Sequence, residues 1–388
     1  MNQIYNTQND LASKIQIFLK KVFPDIRKTQ LKIIPFIIIG MILSESVVTS
    51  DIAKNLKDDF SFIQLDSVIR RIRRFFTNKL FNPELFYRKV ILFVIQNYKK
   101  KHSDKRVHII FDHMYSKDNY TVLMFSFRIG KQGIPLYFKC FKGIREPDAF
   151  KNETIIESIN QVSSLFENTD FELIFLADRW FNSKAILEHI NSLGHTFCIR
   201  LKDNLKIDVF DSHEGHYIHK YTANLKGRKY KGTYYKDVML FDGFDFKTNI
   251  VISKSDGIDE VWIIATNGDV TKAIRDYSYR FGGIESLFKN QKSNGFYLES
   301  ISNSSLESFT CMYTLLCFAT LFLTTLGADY TKNSRCYRNV KISTHKYYKN
   351  KGKVRVISLF NTGLLLFHIA YNSSRYIRIP FSFILYDI

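Results

Sequence analysis

The chain has 388 residues, 45% of them hydrophobic, and carries 56 Lys and Arg against 37 Asp and Glu, a formal net charge of +19. That length and apolar content exclude a disordered chain and supply a substantial core spread over two or three domains. The charge excess points to a polyanionic partner held by long-range attraction, with binding that weakens as salt rises.

The 22 Tyr and 35 Phe add to this, because many of the Tyr lie among Lys and Arg, a mixture suited to stacking beside phosphate contacts. Cys140, Cys198, Cys311, Cys317 and Cys336 form no C-x-x-C pair and no zinc spacing. They fit a reducing cytosol rather than a disulfide framework. The opening MNQIYNTQNDLASK lacks the basic-then-apolar order of a signal peptide, so a cytoplasmic, nucleoid-associated protein is expected.

Residues 1–102 read as an all-α domain. IIPFIIIGMIL is an apolar helix with Pro35 near its start, and SDIAKNL opens with Ser50 as a candidate N-cap. In LDSVIRRIRRFF, helical spacing turns Val68, Ile69, Ile72, Phe75 and Phe76 toward a core and Arg70, Arg71, Arg73 and Arg74 away from it. Short helices followed by an Arg-rich helix suggest a helix-turn-helix-like DNA-binding unit. A plain bundle with a solvated basic face satisfies the same pattern. The run Lys99 to Lys101 reads as a linker.

The unit 103–202 changes period. From 106, RVHIIFDHM, YTVLMFSFRIG and GIPLYFKCFK are three strand candidates with tight joins, the last being GKQG. Helix NETIIESINQVSSLFEN, strand FELIFLAD, helix SKAILEHINSLG and strand HTFCIRLK follow. A meander followed by alternating helices and strands predicts a mixed α/β sheet covered by helices. LIFLA reads as a buried central strand.

Residues 203–268 return to strands in KYTANL, GTYYKDVMLF, TNIVIS and EVWIIATN, which reads as a β-rich insertion. Helices resume over 269–330. There FTCMYTLLCFATLFLTTL, residues 309–326, is uncharged for nearly a membrane span. Its Thr and Cys content and its basic neighbours favour a helix buried in the core, and no membrane partner is expected. The 331–388 region is basic, with an exposed Tyr-rich loop, KNSRCYRNVKISTHKYYKNKGKVR, and a final helix within VRVISLFNTGLLLFHIAY.

Three acids stand out in this order of elements. Asp112 ends the apolar run RVHIIFD, Asp178 ends FELIFLAD, and Glu285 lies in the helical YSYRFGGIESLFKNQK. Carboxylates at two strand ends and on a later helix suit Mg²⁺, which prefers oxygen and takes few protein ligands beside phosphate. Two such ions can stabilise the attacking and leaving oxygens of an in-line displacement at phosphorus. Each acid alone has an ordinary explanation, a turn or cap residue for the Asp and a solvated helix residue for the Glu. Glu299 is an alternative third ligand.

LADRWF, YSYRFGGIESLFKNQK and the meander around Asp112 make the chain resemble a bacterial insertion-sequence DDE transposase, of the branch with a Tyr-x2-Arg-x3-Glu-x6-Lys signature. The resemblance covers nearly the whole chain and implies an RNase H-like mixed sheet flanked by helices, with the β-rich insertion before the Glu-bearing helix. It implies catalytic and metal-binding roles for Asp112, Asp178 and Glu285, with two Mg²⁺ ions that Mn²⁺ can replace. Tyr277, Arg280, Lys292 and Trp262 become DNA-binding residues, alongside Arg70, Arg71, Arg73 and Arg74. Glu285 and Lys292 share a helix face within about 20°.

The sequence departs from the family pattern in having four residues between Arg280 and Glu285 where three are usual, and Gly282 and Gly283 lie in that gap. Phe281 stands where Trp often follows the Arg, and His113 where a second Asp often follows the first. His113 reads as a structural histidine and Trp180 as a packing residue. Trp262 is either a core Trp or the aromatic beside a flipped base.

The implied activity is cut-and-paste transposition of an insertion sequence. Hydrolysis frees a 3′-OH, a DNA hairpin forms and opens, and the 3′-OH joins target DNA. The implied partners are double-stranded transposon-end and target DNA, bound by a homodimer. Competing readings are a catalytically silent DNA-binding relative, an RNase H-fold nuclease without strand transfer, and a membrane-associated protein spanning at 309–326.

Overall fold

The computed structural model describes residues 8–56, 63–98, 105–117, 119–202, 204–211, 215–222, 228–229, 233–240, 247–254, 261–301, 305–337, 340–348, 352–372 and 383. The expected linker Lys99 to Lys101 and the end of KYTANL lie outside them.

The first part of the chain forms helices α1 (Gln8–Val22), α2 (Lys28–Ser44), α3 (Thr49–Lys54), α4 (Leu65–Phe76) and α5 (Pro83–Gln96). Pro35 lies inside α2 rather than near its start. It removes one ladder hydrogen bond, a cost of about 3 kcal/mol. Full burial of Ile34, Ile37, Ile38 and Ile39 offsets that at roughly 1.5–3 kcal/mol per side chain. Ser50 is not a cap, because α3 already begins at Thr49. Ser46 does the local work instead, accepting from Val48 N at 3.1 Å and donating to Asp51 at 3.1 Å. On α4 the expected faces appear: Val68, Ile72, Phe75 and Phe76 are buried, while Arg70, Arg71, Arg73 and Arg74 are exposed.

The sheet begins with β1 (Arg106–Ser116), β2 (Tyr120–Ile129) and β3 (Gln132–Lys142). Next come α6 (Asn152–Ser164), β4 (Glu172–Ala177), α7 (Lys184–Ser192) and β5 (Thr196–Arg200). The region 203–268 adds β6 (Lys206–Asp211), β7 (His216–Tyr221), β8 (Arg228–Lys229), β9 (Thr233–Met239), β10 (Lys247–Lys254) and β11 (Val261–Thr266). All eleven strands join one mixed sheet in the order β3-β2-β1-β4-β5-β11-β10-β9-β6-β7, with β8 on β10. β1, β4 and β5 run parallel, and the meander is antiparallel. The later strands therefore extend the central sheet, joined through the antiparallel β5–β11 pair.

After the sheet come α8 (Val270–Ser278), α9 (Ile284–Lys292) and α10 (Leu306–Lys332), then a hairpin of β12 (His345–Tyr348) and β13 (Gly352–Arg355), and α11 (Leu359–Asn372). The hairpin corrects the expected loop, since its Tyr- and Lys-rich residues pair backbone to backbone from His345 with Arg355 to Tyr348 with Gly352.

α10 is long and apolar enough to cross a membrane, yet 94% of its apolar window is buried in the protein. It packs on α2, α4, α5, β3 and α11, so the N-terminal helices and the sheet share its surface. Its buried hydroxyls bond within the helix: Thr314, Thr320 and Thr324 each donate to a carbonyl four residues back at 2.8 Å. No polar cost remains to oppose burial.

Against α11 the backbones nearly touch. A Cβ on Gly327 would meet Leu359 O at 1.9 Å, and one on Gly363 would meet Leu323 O at 1.9 Å. The obstacle is backbone in both cases, so no rotamer change relieves it. Gly363→Ala is expected to lower stability by about 3 kcal/mol, the upper range for overpacking. An unchanged urea midpoint would mean that the helices do not cross at this distance.

Candidate active site

One face of β1 builds the site. Side chains alternate along a strand, so Arg106, His108, Ile110 and Asp112 share a side. Parallel register pairs Ile110 with Leu176, so two residues further on Asp112 comes level with Asp178, just past the end of β4. β1 itself continues to Ser116, because β2 still pairs with it there. Asp112 thus lies inside its strand, not at the strand end as expected. Its place is set by where the parallel neighbour stops.

Each Asp uses one oxygen to fix itself. Asp112 Oδ1 accepts from His113 N at 2.8 Å, and Asp178 Oδ1 accepts from Arg179 N at 2.7 Å, capping the short 3₁₀ turn Arg179–Phe181. Both Oδ2 atoms face the Arg280 guanidinium. Arg280 donates to Asp112 at 2.7 Å and lies 3.8 Å from Asp178 and 3.9 Å from Glu285 Oε1. Three acids distant in sequence therefore share one cation, which is 10% exposed.

Arg280 reaches this point because the helix breaks there. α8 ends at Ser278 and α9 starts at Ile284. Gly282 adopts φ +92, open to glycine at little cost. Gly283 packs so closely on β1 that a Cβ would meet Ile110 Cδ1 at 2.3 Å. The extra residue between Arg280 and Glu285 is thus taken up in a turn between two helices.

Burial pushes the Asp112 carboxyl above its usual range, with Arg280 and the His113 amide opposing. Arg280 itself is held up: burial lowers it, but Asp112 and its neighbours outweigh that. Tyr277 is fully buried, its phenol pushed up to about 12 by burial, and its hydroxyl has no hydrogen-bond partner among the described residues. Buried polar atoms are normally paired, so this one stands out beside the acids.

The remaining candidate residues divide between near and far. Trp262 is 7% exposed and lies flat on Phe281 at 5.0 Å, with Tyr277 edge-on at 5.4 Å. The outer ring of this stack is Phe281, 39% exposed, which sequence reasoning had not assigned a role. Lys292 ends α9 and lies 3.7 Å from Glu299, so Glu299 faces a lysine and not the other acids. His113 is structural, as expected: its Nε2 bonds Ala149 O at 2.9 Å and its ring stacks between Phe150 and Phe181. Trp180 is a correction. It is 74% exposed, because the turn after Asp178 buries Phe181 and leaves its neighbour outside. The four arginines lie on the exposed face of α4.

A second ion cluster was not anticipated. Asp276, on α8, is 1% exposed, accepts from both terminal nitrogens of Arg106, and lies 3.0 Å from His108 Nε2. It ties α8 to the face of β1 that carries Asp112. The alternation of Arg106, His108 and Asp112 was a signal in the sequence, but their partner lies far along the chain.

As a donor set, three carboxylates offering only oxygen suit a hard divalent cation. Among the described residues, however, no three His, Cys, Asp or Glu side chains stand in a metal-holding arrangement. The acids converge on Arg280 instead, and holding an ion requires Arg280 to give up its contacts. No family model matches the chain, and no curated protein matches its sequence significantly.

Proposed function

We propose that this protein is a DNA transposase with an RNase H-like catalytic core, acting on the ends of an insertion sequence. One observation carries the reading: carboxylates from β1, from the turn after β4 and from α9 meet at a single cationic centre. Asp112, Asp178 and Glu285 would hold Mg²⁺ or Mn²⁺. The ions, when bound, would stabilise charge on the attacking and leaving oxygens at phosphorus. The remaining work is positioning. Arg280, once released, and Lys292 would grip phosphates next to the scissile bond. Gly282, whose φ is +92 and whose surroundings are open, is where the Arg280 turn could adjust, while Gly283 is held tightly on β1.

The reading is tested with element-end DNA, a supercoiled plasmid and Mg²⁺. Joined products that EDTA abolishes are expected. Cleavage without joining would leave a nuclease of the same core. A specific observation favours a second reading, a silent DNA-binding relative, because Arg280 makes the acids a self-contained ion cluster. Mn²⁺ binding followed by electron paramagnetic resonance separates the two. A site present in the native chain and lost in Asp112→Asn supports the enzyme.

For the N-terminal surface, replacing Arg70, Arg71, Arg73 and Arg74 with Gln is expected to weaken duplex binding. The salt slope should fall by roughly one unit for every arginine that pairs with a phosphate. An unchanged slope would return α4 to a solvated basic face.

A further inference from the structure

We infer that Trp180 is a stacking platform for an unpaired nucleobase next to Asp178, an inference that rests on the nucleic-acid reading above. A tryptophan left 74% exposed forgoes the burial its large apolar ring normally gains. The surrounding residues are of a matching kind. Lys202 Nζ lies 5.6 Å from the ring centroid, and Arg179, Trp180, Lys202 and Asn204 line an open cleft of about 380 Å³. An aromatic face, two cations and an amide are what a base with its flanking phosphate needs: the ring stacks, the cations take the phosphate, and the amide can bond a base edge.

The position follows from the fold. Trp180 is two residues past Asp178, and the cap that Asp178 places on Arg179 N fixes the turn presenting the ring. Lys202 follows β5, the parallel neighbour of β4, so both sides of the cleft stand on the central sheet. A pair inside a continuous duplex has both faces covered by its neighbours, so away from duplex ends the cleft selects a base that has left the helix. Such a base is available at a strand break, a bulge or a tight hairpin. Trp262, being buried beneath Phe281, does not offer this surface.

The chain contains two Trp, which makes the test direct. Trp262→Phe leaves Trp180 as the only tryptophan emitter. It is titrated with a paired duplex, a duplex carrying one bulged adenine, and the same duplex with an abasic residue at the bulge. Strong quenching by the bulged adenine alone is expected. Separately, in the otherwise native chain, Trp180→Ala should weaken binding of the bulged duplex about tenfold, within the range of one base–aromatic stack, and leave paired-duplex affinity unchanged. Equal emission and equal affinity across the three duplexes would overturn the platform while leaving DNA binding standing. Failure of every duplex to bind at low salt would remove the nucleic-acid reading, and this inference with it. Emission that changes with protein concentration alone would show a second copy of the chain covering Trp180, and would also overturn the platform.

Discussion

Asp112→Asn and Asp178→Asn are each expected to abolish strand cleavage and to leave DNA binding nearly intact. On the proposed function, cleavage would depend on carboxylate charge at one point, whereas binding would draw on the basic surface that a net charge of +19 supplies. Metal stabilisation of the reacting oxygens amounts to several kcal/mol. At about 1.4 kcal/mol per tenfold, its loss is roughly a thousandfold or more in rate. The substitutions keep shape, Asn still accepts the amide hydrogen bond that fixes each side chain, from His113 N or from Arg179 N, and either variant leaves the buried Arg280 facing the other two acids rather than stranded. The fold should therefore survive. Nicking of element-end DNA in single-turnover assays, beside binding by anisotropy, separates the effects. Two Asn variants that nick at the native rate would sink the catalytic assignment.

The second large effect concerns Asp276. Asp276→Asn leaves Arg106 without its buried carboxylate, and breaking one side of a buried pair costs about 3–5 kcal/mol. Replacing both members, Arg106→Met with Asp276→Leu, should cost less than either single change, because no charge is left stranded. Urea unfolding of the two singles and the double measures this. Additive losses would deny the pair.

The pH dependence has a defined sign. Burial pushes Asp276 up, but hydrogen bonds from His108 and Arg106 outweigh it and hold the carboxyl below 3.8. Burial holds His108 below 6.5 despite the pull of Asp276. Both groups bind protons less readily folded than unfolded, so both stabilise the protein at higher pH. The His108 contribution is complete above 6.5 and is lost as pH falls through its folded value. The Asp276 contribution goes only below 3.8. Asp276→Asn should remove the lower stage and, by removing the attraction that raises His108, carry the upper stage to lower pH. Because the raised Asp112 carboxyl contributes with the opposite sign on acidification, the test is the comparison: identical stability–pH profiles for the native chain and Asp276→Asn would contradict the arrangement.

Much of this was open to reading because it is local. Alternation and helical spacing determined the meander, the following β-α-β alternation, both faces of α4 and the glutamate-bearing helix, since side-chain period follows backbone geometry. The uncharged run in α10 was correctly assigned to the core, because its Thr hydroxyls can bond their own helix. Asp112, Asp178 and Glu285 were singled out from element order together with the motif resemblance around them.

Tertiary structure decided what depends on register and on distant partners. Pro35 is tolerated inside α2 because burial on neighbouring elements outweighs a local propensity. That Asp112 lies within its strand was hidden, because only pairing shows that β4 stops at Ala177 while β2 continues. Convergence of the acids on Arg280 needs the helix break at Gly282 and the contact of Gly283 with Ile110, across more than half the sheet-forming chain. The exposure of Trp180 reverses what hydrophobicity suggests, whereas Trp262 is buried as a core Trp would be. Composition assigns a residue its cost in water, but only the packed neighbours decide which residue bears it.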